Sequence, residues 1–156
     1  MGSVQFGIPR ELALALKERY GLVDFVETGT LVGHTAMWAA EHFKSVKTVD
    51  INDTFKSVGK IESRHGDSAE FLESLDVWAA TLFWLDAHTN ESCPVLREIE
   101  AINRLSVGHV ILVDDARLFG QLPDWPSLKD VCYALMDNGR RVTEIIGDVI
   151  VATPCP

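Results

Sequence analysis

Between residues 25 and 35 the chain reads Phe-Val-Glu-Thr-Gly-Thr-Leu-Val-Gly-His-Thr. A short apolar run ends in Glu27, and a glycine-punctuated turn leads into a helix opening at about His34. Glycine at 29 and 33 lets the backbone turn tightly and lets a ligand approach with no Cβ in the way. The helix N-terminus beyond it favours a carboxylate or phosphate. Asp50 stands 23 residues after Glu27, at the end of a second apolar run, Val46–Val49. A glycine turn after one strand and an acid at the tip of the next is how nucleoside-bearing cofactors are held, the acid taking the ribose hydroxyls.

The identity of the cofactor is narrowed by a missing residue. A dinucleotide fingerprint needs Gly-x-Gly-x-x-Gly, and Glu-Thr-Gly-Thr-Leu-Val-Gly lacks its first glycine. Glu27 would also oppose a pyrophosphate, whereas a free ammonium and a sulfonium suit it. At 156 residues the chain is expected to form one domain with a sizeable core. A net charge of −9 with scattered basic residues argues against a nucleic-acid footprint. No apolar run is long enough for a membrane helix, and the N-terminal residues show no secretory pattern. Three cysteines (Cys93, Cys132, Cys155) without CxxC spacing favour a reducing, cytoplasmic setting.

Along the chain, strands and helices alternate. Pro9 to Tyr20 reads as a helix carrying Leu12, Leu16 and Tyr20, with Gly21 as its stop. Strands are expected at Asp24–Glu27, Ser45–Val49, Ile61–His65, Ala80–Leu85 and Val110–Val113. The helix after the glycine turn offers Ala36, Ala39, Ala40 and Phe43 to the sheet. Ser68 reads as an N-cap for a helix with Phe71, Leu72 and Leu75. Val95–Leu105 reads as a helix with Leu96, Ile99, Ile102 and Leu105 on one face, and Ser127–Asn138 as another, stopped by Gly139. Arg141–Ile145 and Val149–Thr153 form a closing hairpin around Gly147-Asp148. Such alternation demands a parallel sheet with helices on both faces, the hairpin adding an antiparallel edge. About eleven residues separate Asp50 from the third strand, so the helix expected there shrinks to one turn or none. Trp38, Trp78 and Trp84 read as core; Trp125 suits a substrate pocket.

The fourth and fifth strands both end in acids, Asp86 in Leu-Asp-Ala-His88 and the pair Asp114-Asp115. In an open parallel sheet these ends share the ligand edge. Single acids there cap the next helix or loop; three together repel unless a cation lies between them, and oxygen donors suit Mg2+ better than Zn2+. Arg117 could bind a substrate carboxylate or pair with a nearby acid.

With these residues in place, Phe25–Phe43 and Phe83–Gly120 resemble the class I S-adenosylmethionine-dependent methyltransferases. The likeness is to the metal-dependent, catechol-type O-methyltransferases and to sugar-modifying relatives with an Asp…Asp-Asp site. The resemblance implies a Rossmann-like α/β fold, a mostly parallel seven-stranded sheet with an antiparallel last strand and a shortened crossover after strand two. It implies that Asp86, Asp114 and Asp115 hold Mg2+, which binds the substrate hydroxyls. Glu27, Thr28, Gly29, Thr30, Gly33 and Thr35 match the loop at the methionine end of the cofactor. Asp50 matches the ribose acid and Asp67-Ser68 the adenine-contacting turn, with Asp86 also at the cofactor edge. The catechol enzymes place a lysine base three residues beyond the first metal acid. Thr89 stands there in this chain, and His88 is the natural substitute, able to accept a proton near neutrality.

The expected activity is methyl transfer from S-adenosylmethionine to a hydroxyl of a small molecule, with His88 and Asp86 as catalytic residues. Nucleic acid and membrane are not expected as partners, and an uncapped site of this size suits completion by a neighbouring subunit. Rival readings are a metal-independent methyltransferase with another acceptor and a non-catalytic cofactor-binding module. A phosphoacceptor receiver would carry its acid pair after the first strand, and here the pair comes after the fifth.

Overall fold

The computed structural model describes residues 7–106 and 108–156. Helix α1 (Arg10–Tyr20) precedes β1 (Asp24–Thr28), α2 (His34–His42) and β2 (Ser45–Asp50). Then come β3 (Ile61–His65), α3 (Ser68–Glu73), β4 (Thr81–Leu85), α4 (Val95–Asn103) and β5 (Val110–Val113). A 3-10 turn at Ala116–Leu118, α5 (Leu128–Met136) and the hairpin of β6 (Arg141–Ile146) and β7 (Val149–Pro154) complete the order. The seven strands lie in the order β3-β2-β1-β4-β5-β7-β6. β1 to β5 are parallel, and β7 is antiparallel to both β5 and β6. The hairpin therefore does not simply add an antiparallel edge. Its last strand slots between β5 and β6, and β6 forms the edge.

Strand alternation divides the core in two. Phe25, Val46, Leu82, Trp84, Leu112 and Val151 face α1 and α2, while Val26, Val49, Phe83, Leu85, Ile111 and Ile150 face α3, α4 and α5. Strands buried on both faces need the near-continuous apolar runs of β4 and β5. Four sequence expectations shift in detail. Asp67, not Ser68, caps α3, its carboxylate accepting the Glu70 N–H. The helix expected to reach Leu105 ends at Asn103, and it turns Val95, Glu98, Ile99 and Ile102 inward while Leu96 is exposed. α5 ends at Met136 and passes into a 3-10 turn. Trp78 is 88 % exposed, because the loop before β4 turns Val77 and Ala80 to the core and Trp78 away from it, whereas Trp38 and Trp84 are core.

No helix joins β2 to β3. The chain runs irregularly from Ile51 to a bridge between Val58 and Ile61. Phe55 turns back from this loop onto Gly33, where an added Cβ would fall 2.2 Å from its ring.

Candidate active site

Parallel strands put the ends of β1, β2, β4 and β5 along one edge, and the predicted residues gather there. Glu27 is the penultimate residue of β1, directly beside Thr48 and Trp84 on the flanking strands. It is buried, and its Oε2 accepts the Thr48 hydroxyl at 2.8 Å, with the Thr30 hydroxyl in turn bonded to Thr48. Burial pushes the Glu27 carboxyl up to about 8, and the Thr48 hydrogen bond opposes that shift while Asp86 and Asp50 add repulsion. An acid kept protonated by desolvation gains its charge once a cation arrives.

Gly29 has φ +83, and a Cβ there would lie 2.3 Å from the Asp86 carbonyl oxygen. That space belongs to the neighbouring loop, so the glycine serves loop packing as well as a tight turn. Asp50 closes the turn from the other side. Its Oδ2 accepts the Leu31 N–H at 2.8 Å and its Oδ1 the Asn52 N–H at 2.7 Å. Thr35 lies in the first turn of α2, near enough to Glu27 to oppose slightly the rise of its carboxyl. Further along the edge, Asp67 is engaged by the α3 cap and by Arg97 at 3.3 Å, and Ser68 is buried behind it.

The acids after β4 and β5 approach closely. His88 Nε2 lies 2.9 Å from Asp115 Oδ2 and 3.5 Å from Asp86 Oδ1. Donor atoms of Asp86, His88 and Asp115 lie within 4.8 Å of one another, as do those of Asp114, Asp115 and Asp148. The sequence triad of Asp86, Asp114 and Asp115 is thus divided between two sets that share Asp115. Asp114 Oδ1 accepts the Asp115 N–H at 2.8 Å, and Asp115 adopts a left-handed backbone with φ +57. Arg117 bonds Asp115 Oδ1 at 2.7 Å and also pairs with Asp148, so its role is that of an ion-pair partner. Burial raises the Asp86 carboxyl, and burial together with Asp86 takes Asp114 to about 7. Hydrogen bonding to Asp86 and the charges of Asp86 and Asp115 raise His88 against its own burial.

Two site residues went unnoticed in the sequence. Glu98 is 1 % exposed, lines the cleft with Asp86, His88, Asp114, Phe119 and Trp125, and leaves Oε1 without a partner among the described residues. An acid at the inward position of α4, three residues after Val95 and four before Ile102, was the available signal. Asp148 had none, because its approach depends on β7 entering beside β5. Its backbone oxygen accepts the Ala116 N–H and its carboxylate the Arg117 N–H, both at 2.9 Å. Trp125 joins the cleft as expected, its ring 4.7 Å from His88 and its Nε1 donating to the Thr89 carbonyl at 3.0 Å.

Protonated buried acids set the pH dependence of stability. Glu27 at about 8 and Glu98 at about 7 both stand above their ordinary 4.5. Their stabilising protonation is complete below the unfolded value and is lost as pH rises through the folded one. His109, depressed by burial from 6.5 to about 4, acts only below pH 6.5, where acid removes its contribution. Urea unfolding should therefore show stability falling from pH 6.5 to 8.5, with about 2 kcal/mol from Glu27 alone. A flat or rising profile would contradict the buried-acid picture.

No protein-family model and no curated protein matches the sequence. Solved structures match its fold. A proposed O-methyltransferase from Klebsiella pneumoniae superposes with TM-score 0.73 at 16 % identity, over 99 % of this chain and 84 % of that one. An O-methyltransferase from Bacillus cereus in complex with S-adenosylhomocysteine gives 0.70 at 15 % identity, over 98 % and 84 %. The methyltransferase MycE of the mycinamycin biosynthetic pathway, in complex with Mg, S-adenosylhomocysteine and mycinamycin VI, gives 0.64 at 13 % identity, over 96 % and 51 %. The chain has the Rossmann-like fold of the class I methyltransferases.

Proposed function

We propose that this protein is an S-adenosylmethionine-dependent methyltransferase acting on a hydroxyl of a small molecule with the help of a divalent cation, Mg2+ in the enzymes it resembles. One observation carries the reading. The glycine turn, clamped between buried Glu27 and Asp50, lies on the same sheet edge as the Asp86–His88–Asp115 cluster. On this reading a cofactor cradle and a cation-binding group stand side by side. The acids there fit a divalent ion, Asp115 being shared by two groups of donors, one with Asp86 and one with Asp114 and Asp148.

When bound, S-adenosylmethionine supplies an electrophilic methyl group and the ion a field that acidifies an acceptor hydroxyl. The chain supplies position. Glu27 would face the cationic methionine end, Asp50 the ribose, and Asp67 and Ser68 the adenine. Asp86 would stand between cradle and acceptor, its carbonyl packed on Gly29 and its carboxylate facing His88. His88 can serve as general base only while its Nε2 is neither paired with Asp86 and Asp115 nor bound to the ion. Trp125 and Phe119 wall the acceptor side.

Calorimetry tests the cofactor. S-adenosylhomocysteine should bind in the micromolar range, about −8 kcal/mol, and Asp50→Ala should weaken it by about 1.5–3 kcal/mol. Tighter binding of NAD would overturn the reading. The missing β2–β3 helix favours a second reading, a cofactor-binding module that works with a partner protein, since it leaves Leu31 and Ile51 exposed at the rim. Turnover of the cofactor with any hydroxyl acceptor separates the two.

A further inference from the structure

We propose that His88 is itself a ligand of the divalent ion, and that the site Asp86–His88–Asp115 takes a first-row transition ion such as Mn2+ or Co2+ in preference to Mg2+. This rests on the reading that a divalent ion serves the cleft, and it changes which side chains hold the ion and which ion they suit. Adjacent donors on an octahedral ion at about 2.1 Å lie about 3 Å apart, and on a tetrahedral one about 3.4 Å. His88 Nε2 stands 2.9 Å from Asp115 Oδ2 and 3.5 Å from Asp86 Oδ1, the spacings of neighbouring ligands. Without an ion the same Nε2 lies against both carboxylates and pairs with them when the ring is protonated.

The surroundings orient each donor. Asp115 gives Oδ1 to Arg117, which Asp148 holds from behind, leaving Oδ2 for the imidazole side. Hydrogen bonds from residues 116 and 117 to Asp148 fix the left-handed turn that turns the Asp115 carboxylate. Trp125 packs edge-on to the imidazole at 4.7 Å and is tied to the same loop through Thr89. Asp114 spends Oδ1 on the Asp115 amide and belongs to a different donor set. One imidazole with two carboxylates is a mixed donor set that first-row transition ions accept more readily than Mg2+, which prefers oxygen throughout.

The test titrates Mn2+ and Mg2+ into the whole protein by calorimetry and reads bound Mn2+ by pulsed electron paramagnetic resonance. One Mn2+ should bind, with a nitrogen coupling from a directly bonded imidazole, and should exclude Mg2+ at equal concentration. His88→Ala should weaken Mn2+ about 10–100-fold and remove the coupling; even outer partners of a metal act on that scale. His88→Asp should restore binding without the coupling and move preference toward Mg2+, a response that a merely structural histidine would not give. Thermal melts of both variants report whether the fold survives. A wild-type spectrum without nitrogen coupling, or His88→Ala binding Mn2+ as tightly as wild type, overturns the proposal while leaving a metal-assisted enzyme in place. If neither ion binds, the metal part of the function falls too, and S-adenosylhomocysteine binding decides separately whether the cofactor assignment stands.

Discussion

Glu27→Gln should cost about 1.5–3 kcal/mol of S-adenosylhomocysteine affinity, roughly 10–150-fold, while making the folded protein at least as stable at pH 8. The two effects have one origin. In the free protein the carboxyl is buried and protonated to about pH 8, so glutamine copies its neutral form and can keep the Thr48 hydrogen bond. The unfolded chain ionises Glu27 above its ordinary 4.5, and that loss of stability at neutral pH vanishes in the variant. Binding of a ligand ammonium requires the charge that glutamine cannot develop. Wild-type affinity should therefore rise with pH up to about 8, with proton release visible as a buffer-dependent calorimetric enthalpy. Unchanged affinity in Glu27→Gln would remove the residue from the cofactor site.

Gly29→Ala should destabilise the fold by about 3–5 kcal/mol, combining left-handed strain with overlap against a packed neighbour. Its Cβ would meet the Asp86 carbonyl, carbon and following amide at 2.3–3.0 Å, and backbone at the end of a central strand cannot withdraw. Gly33→Ala is the contrast. It has a similar φ of +81, but the obstacle is the Phe55 ring, carried on an irregular loop that can shift. About 1–2 kcal/mol is expected there, mostly strain. Chemical denaturation of the two variants, with fluorescence of the buried tryptophans as readout, compares them directly. Equal losses would mean that the two loops yield alike.

The sheet was legible because buried parallel strands leave uninterrupted apolar runs, as in Thr81–Leu85 and Val110–Val113, and because acids and glycines punctuate their ends. The missing helix after Asp50 could be inferred by counting residues. The features that escaped depend on spatial context. Ser68 and Asp67 are both good caps, and which one takes the role turns on the backbone entering α3. Trp78 is as apolar as a core residue, yet its loop turns Val77 and Ala80 to the core in its place. Leu96 and Val95 are equally apolar neighbours, and only the rotation of α4 on the sheet selects Val95. Arg117 and Asp148 are 31 residues apart and meet only through the late insertion of β7. His88 was visible as a residue beside the acids, but its bridge to both Asp86 and Asp115 could not be read from spacing.

That insertion of β7 bears on how the chain is made. Synthesis runs from the N-terminus, and β1 to β5 can find neighbours among strands already emerged. β5 then waits with one ladder of amides and carbonyls open along Val110–Val113, and β6 leaves the ribosome before the strand that will attach it to the sheet. A nascent chain stalled before Val149 would already carry the complete glycine turn and all three strand-end acids, yet present a raw apolar edge to every other chain nearby. Chaperone dependence should accordingly be concentrated in the interval before β7 emerges, and stop codons placed between Ile146 and Val149 should yield aggregates rather than a shortened binding protein.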